Sequence, residues 1–136
     1  MLDHTDMKIL EELSKNSRIS MKQLGEKVHL TGQATASRVA KLEDKGVIEG
    51  YTIRVNQQKL GCNIHAMLNI YTKNTYHTPF LTFIETQEKH VINNYKISGD
   101  GCYLLECRFP NNEVLDQFLT ELNKHVNYKL TILINK

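Results

Sequence analysis

Apolar residues recur at helical spacing in the first third of the chain and alternate singly through most of the remainder. Ile9, Leu10 and Leu13 predict a helix that Asp3 can cap. Ser20 is a good N-cap, and Gln23 three residues later completes a capping-box pattern. Leu24 and Val28 then share one face of a short helix. Leu30-Thr31-Gly32 interrupts the helix and restarts it, with Thr31 as the next cap. In the second helix Thr35, Val39 and Leu42 fall at i, i+4 and i+7 and should face the core. Gln33, Ala36, Ser37, Ala40 and Lys41 then point outward, with Arg38 on the flank. Lys45-Gly46 closes the helix, and Gly46 suits a left-handed position.

The period changes after Gly46. Tyr51, Ile53 and Val55 alternate with Thr52 and Arg54, which predicts a strand or an extended linker. The polar, turn-rich stretch Asn56 to Gly61 marks a boundary. It divides the chain into residues 1–50, a strand or linker at 51–61, and residues 62–136. In the last part Ile64, Ala66, Leu68 and Ile70 share one strand face, and His65, Met67, Asn69 and Tyr71 the other. Thr78-Pro79 predicts a helix start with Thr78 as cap, followed by Phe80, Phe83, Ile84 and Gln87 at helical spacing. Val91 to Ile97 and Tyr103 to Phe109 read as strands joined by Ser98-Gly99-Asp100-Gly101. Asn111-Asn112 caps a helix with the stripe Leu115, Phe118, Leu119 and Leu122, and Tyr128 to Ile134 makes the last strand. The expected fold is α+β: a three-helix domain with a helix-turn-helix, then a ferredoxin-like βαββαβ domain. Two helices cover one sheet face. Met67, Tyr71, Leu104 and Leu133 lie on the other, so a homodimer through sheet-on-sheet packing is expected; the alternative is a solvated face kept wet by Asn69, Lys96, Arg108 and Lys129.

Composition adds less than distribution. The net charge of +2 over 136 residues does not by itself imply a nucleic-acid partner. Between Ser14 and Lys41, however, Lys15, Arg18, Lys22, Lys27, Arg38 and Lys41 face Glu26 alone. Cys62, Cys102 and Cys107 lack metal-type spacing and read as free thiols of a reducing compartment. No apolar run reaches the roughly 20 residues that span a bilayer, and the N-terminus lacks a signal-peptide shape. A cytoplasmic protein without membrane, metal or cofactor is the expectation.

The outward face of the second helix suits a DNA major groove better than a core. Arg38 and Lys41 are candidates for phosphate or guanine contacts, and Gln33 and Ser37 for base edges, with Ala36 between them. Ser20, Lys22 and Thr31 complete the candidate DNA surface. Arg38 has a competing use, an ion pair to Glu43 or another neighbour that holds the helix. An enzyme reading finds no support: His65, His77, His90 and His125 are scattered, and no HExxH, P-loop or GxSxG occurs.

One run is specific: Arg38-Val39-x-x-Leu42-Glu43-x-x-Gly46-x-Ile48-x-Gly50-Tyr51. With Asp3, Asp6, Asn16, Arg18, Leu60-Gly61 and the Ser98-Gly99-Asp100 turn before Tyr103, it makes the whole chain resemble the Lrp/AsnC (leucine-responsive, or feast-famine) family of prokaryotic transcription factors. The resemblance implies that the helix-turn-helix domain is of the winged type and that double-stranded DNA is its partner. It also implies sheet-mediated dimers, often assembling to tetramers or octamers, and a small effector, commonly an amino acid, near the turn. Ser98, Gly99, Asp100 and Gly101 are then the candidate effector residues, with Tyr76 and His77 as outer candidates. Backbone N–H groups beside glycines suit a carboxylate; the alternative is an ordinary hairpin turn.

Three departures are visible. Thr31-Gly32 stands where relatives often have Ser-Pro, Cys102 stands where a second acid is usual, and the sequence ends at Lys136 without the short tail of many relatives. A missing acid weakens the case for ammonium recognition. With Ala36 and Ala40 on the outward face, it opens the alternative of an architectural protein that bends or wraps DNA without an effector. Some relatives of this fold decarboxylate haem precursors, but no convergent site for such chemistry can be named here.

Overall fold

A computed structural model describes residues 1–135. Its contacts divide the chain into two compact units, Met1–Arg54 and Val55–Lys136.

The first unit holds α1 (His4–Lys15), α2 (Met21–Val28) and α3 (Gly32–Asp44). Each start is set by a side chain. Asp3 Oδ1 accepts the Asp6 N–H at 2.8 Å, and Asp6 Oδ2 accepts the Asp3 N–H at 3.3 Å, a reciprocal cap. Ser20 Oγ accepts the Gln23 N–H at 3.1 Å. No reciprocal bond from the Gln23 side chain is present among the described residues, so the expected capping box is a single cap. Thr31 Oγ1 accepts the Ala34 N–H at 3.1 Å. α2 stops because His29 takes the left-handed conformation (φ 60°).

Ile9, Leu13, Leu24, Val28, Val39 and Leu42 form the buried core, with Leu2, Leu10 and Ile48 packed around it. Thr35, Val39 and Leu42 are the buried residues of α3, as their spacing predicts. Burying each large side chain contributes about 1.5–3 kcal/mol over leaving it exposed. Gly25 lets α2 and α3 approach: a Cβ there would lie 2.5 Å from the Leu30 carbonyl oxygen and 2.9 Å from Thr35 Oγ1.

Gly46 follows α3 with φ 73°. Residues 51–56 form no strand, so the alternation of Tyr51, Ile53 and Val55 belongs to an extended segment in which all three side chains are exposed. Pairing needs a neighbouring edge, and alternation alone does not supply one. A short 3-10 turn at Gln57–Leu60 follows, capped by Asn56.

The second unit runs β1 (Ile64–Thr72), α4 (Thr78–Glu85), β2 (Val91–Gly99), β3 (Gly101–Phe109), α5 (Asn112–Leu122) and β4 (Val126–Leu133). The four strands pair antiparallel in the order β2-β3-β1-β4, the split βαβ arrangement. Ala66, Leu68 and Ile70 with Tyr103, Leu105, Cys107 and Phe109 make the buried sheet face. Phe80, Ile84, Leu115, Phe118 and Leu122 of the helices complete that core. Burial lifts the Cys107 thiol to about 12, so it stays protonated and inert.

Two expected details differ. The N-cap of α4 is His77, with no side-chain cap bond; Thr78 is already helical and Pro79 follows it. Gln87 lies beyond the end of α4, where its N–H bonds the Ile84 carbonyl. Among the described residues, no helix is long and apolar enough to cross a membrane.

Candidate functional site

On α3, Gln33, Ala36, Ser37, Ala40 and Lys41 are all exposed, and Thr31 is exposed at its cap. Ser20 and Lys22 are exposed at the start of α2. Gly32 sits close to that start: a Cβ on it would lie 3.4 Å from Lys22 Cα. The first turns of α2 and α3 are therefore neighbours, and their caps and Lys22 lie together.

Arg38 is placed differently from its neighbours. Its Nη1 donates to Asp3 Oδ2 at 2.7 Å, to Asp3 Oδ1 at 2.8 Å and to Asp6 Oδ1 at 3.1 Å. That arrangement ties the flank of α3 to the cap of α1, and the guanidinium holds the Asp3 carboxyl below the usual carboxylate range. Glu43, the other partner considered from sequence, is not involved.

The local basic excess is partly internal as well. Lys15 pairs with Glu11 and Glu12 at 3.3 and 3.7 Å, and Lys27 lies 3.8 Å from Glu12. Among the described residues, Arg18, Lys22 and Lys41 have no carboxylate within salt-bridge distance. The cationic surface left for a phosphate backbone is smaller and more localised than the residue count suggested.

In the second unit Gly99 and Gly101 face each other across the β2–β3 hairpin, and Asp100 is its tip. Gly101 is required there: its φ is 105°, and a Cβ would lie 2.7 Å from the Ile70 carbonyl oxygen. Asp100 folds back onto the uncovered sheet face. Tyr71 donates to its Oδ1 at 2.7 Å, Asn69 Nδ2 donates to its backbone oxygen at 2.9 Å, and Lys129 Nζ lies 3.9 Å from Oδ2. The Asp100 carboxylate raises the Tyr71 hydroxyl above its ordinary pKa. Cys102 is partly buried with its thiol 3.3 Å from Thr72 Oγ1. That bond lowers the thiol below its ordinary pKa.

The expected set Ser98, Gly99, Asp100 and Gly101 is thus one hairpin, but Tyr76 and His77 are not gathered to the Asp100 carboxylate. His77 Nδ1 lies 2.9 Å from the hydroxyl of Tyr103, a side chain of the helix-covered sheet face. Tyr76 is exposed in the same β1–α4 loop. A second polar group escaped the sequence reading. On the uncovered face His65 Nε2 lies 2.6 Å from Glu106 Oε2, and Asn93 Nδ2 donates to Glu106 Oε1 at 2.9 Å. Asn93 first, then His65, holds the Glu106 carboxyl below its usual range. The cross-strand register that joins these residues carries no local sequence signal.

A helix pair closed on a glycine-tight turn, presenting an unburied polar face on its second helix and followed by a βαββαβ unit, defines a helix-turn-helix DNA-binding regulator. A family described as winged helix-turn-helix DNA-binding matches residues 2–49, and one described as Lrp/AsnC ligand binding domain matches residues 65–133. The chain belongs to the Lrp/AsnC family of transcriptional regulators, which are not enzymes.

It is 68% identical to the HTH-type transcriptional regulator LrpA of Bacillus subtilis over 136 residues, all of both chains. It is 38% identical to LrpB of the same organism over 135 residues, 99% of this chain and 90% of that one. Among solved structures, B. subtilis LrpC superposes with a TM-score of 0.93 at 31% identity, covering 100% of this chain and 96% of that chain. A feast or famine regulatory protein from M. tuberculosis, complexed with L-methionine, gives 0.91 at 27% identity, covering 100% and 94%.

Proposed function

We propose that the chain reads duplex DNA with the exposed face of α3 and does so as a homodimer joined through the uncovered sheet face. The observation that carries this reading is the division of α3. Thr35, Val39 and Leu42 are committed to the core, while Gln33, Ala36, Ser37 and Lys41 are exposed. In the major groove, Gln33 reads a base edge, Ser37 contacts a base or phosphate, and Lys41 takes a phosphate. Ser20, Lys22 and Thr31 meet the backbone at the paired helix starts, where N–H groups favour phosphate. Arg38 acts through Asp3 and Asp6 as the residue that sets the angle of α3. Selection of bound fragments from random DNA tests this: Gln33→Ala should relax preference at a single base-pair position without changing the rest of the selected site. An unchanged selected site would overturn the role of Gln33.

Self-association rests on Met67, Leu104, Leu133 and Tyr95. The first two are half-buried and the last two are 38% and 51% exposed, too apolar a group to face water in a small unit. Assembly beyond a dimer, to tetramers or octamers, would use other surfaces. Analytical ultracentrifugation tests the dimer; a monomer at micromolar concentration would refute it.

The hairpin tip is the proposed effector contact. The methionine-bound M. tuberculosis protein supports an amino acid as ligand class. With Cys102 in place of an acid, Asp100 alone is left for an ammonium group, and it must first leave Tyr71. Calorimetry against the twenty amino acids decides this, and silence from all of them would favour an ordinary turn. The exposed alanines Ala36 and Ala40 favour a second reading, an architectural protein with weak sequence preference. A footprint with periodic protection over long DNA would select that reading over a single operator.

A further inference from the structure

A cleft of about 220 Å³ opens between the β1–α4 loop and the α5–β4 turn. Lys73, His77, Lys124 and His125 line it, with Tyr76 at its side and Phe80 on its floor. Three of these side chains are held in place. Lys73 Nζ donates to the Asn123 carbonyl at 3.3 Å, His77 bonds Tyr103, and the His125 ring packs 5.4 Å from that of Phe83. Lys124 is 2.9 Å from Glu121, an exposed pair that water and salt weaken. Among the described residues, neither Glu121 nor any other carboxylate lines the cleft. The first turn of α4 opens beside it without a side-chain cap. Helix N–H groups left in this way favour negative charge.

We propose that this cleft binds a small organic or inorganic anion, headed by a carboxylate or a phosphate. The volume sits below the roughly 300–1,000 Å³ of pockets for drug-sized ligands, which limits the ligand to a head group with a few heavy atoms. A zwitterionic amino acid is disfavoured, because its ammonium would meet lysines and histidines and no acid. The site is independent of the effector reading at Asp100, whose side chain lies on the uncovered sheet face while His77 bonds to the covered one.

Calorimetry on the full chain at fixed ionic strength tests it, with inorganic phosphate, benzoate and chloride as the probes. Phosphate or benzoate should saturate one site per chain where chloride does not, and the tighter of the two identifies the head group. The Lys73→Gln and Lys124→Gln pair, both exposed positions, should weaken that binding about tenfold or more, as expected for loss of charge-assisted hydrogen bonds. An unchanged melting temperature of that variant separates lost binding from lost folding. Asp100→Asn should leave anion binding unchanged. Absence of saturable binding by both anions, or equal affinity in the double variant, overturns the proposal.

Discussion

On α3, Gln33, Ser37 and Lys41 stand exposed and make no side-chain bond among the described residues. At the β2–β3 tip, Asp100 is bonded by Tyr71 and Asn69 and faced by Lys129. The first surface is preformed and idle. The second is already occupied by its own neighbours. Binding to the first costs little reorganisation beyond ordering exposed side chains. A ligand at the second must exchange internal hydrogen bonds for its own, so only one that replaces the Tyr71 contact will hold. Under the proposed function, that difference would make DNA contact less demanding of rearrangement than contact with a small molecule.

The sharpest way to break the comparison is to loosen the scaffold under α3. Leu42 is 2% exposed in the first unit's core. Leu42→Ala should cost that unit about 2–5 kcal/mol and abolish DNA binding. The Tyr71–Asp100 contact should persist, visible as an unchanged titration of Tyr71 itself, followed by a site-specific label because Tyr51 of the first unit will shift. Loss of both together would show that the two surfaces are not independently supported.

Gly25→Ala comes next. Its methyl would sit 2.5 Å from the Leu30 carbonyl oxygen, so α2 and α3 must part. Overpacking of this kind costs about 1–3 kcal/mol. Urea unfolding of the first unit should show it, with weaker DNA affinity in proportion.

Much of this comparison was legible in the residues. The caps Asp3, Ser20, Thr31 and Asn111 are local signals, and the buried stripe of α3 follows from i, i+4, i+7 spacing. The order βαββαβ followed from the change of period. What the sequence hid was contact between distant segments. Arg38 meets Asp3 across 35 positions, and His65 meets Glu106 across 41. Neither pairing can be read without knowing how the helices pack or how the strands register. The same limit scattered the candidate effector set. Alternation shows that residues fall on two faces of a strand, but not which face a loop such as Tyr76-His77 will join. Tyr51 to Val55 left strand and extended linker both open for a simpler reason: alternation reports amphipathicity, and pairing needs an edge; the segment is extended and unpaired.

A smaller effect sharpens the occupied surface. Asp100→Ala removes the carboxylate that holds the Tyr71 hydroxyl above its ordinary pKa. Tyr71 should then titrate at lower pH, read from tyrosinate absorbance. If the hairpin tip is the effector contact, the same variant loses any amino-acid response while retaining DNA binding.

The smallest effect concerns the Arg38–Asp3 pair. The Asp3 carboxyl lies below its usual range, so its contribution to stability is present above about pH 4 and is lost as pH falls through the depressed folded value. Asp3→Asn should flatten this acid limb in thermal melts and change little near neutrality, because the pair is exposed.

The most direct test of the account compares the salt dependence of DNA binding in the wild type and in Lys41→Ala. If α3 lies in the groove with Lys41 on a phosphate, the slope of log affinity against log salt should fall by about one unit, and all sequences should weaken alike. Affinity and slope both unchanged in Lys41→Ala would contradict the placement of this face on DNA.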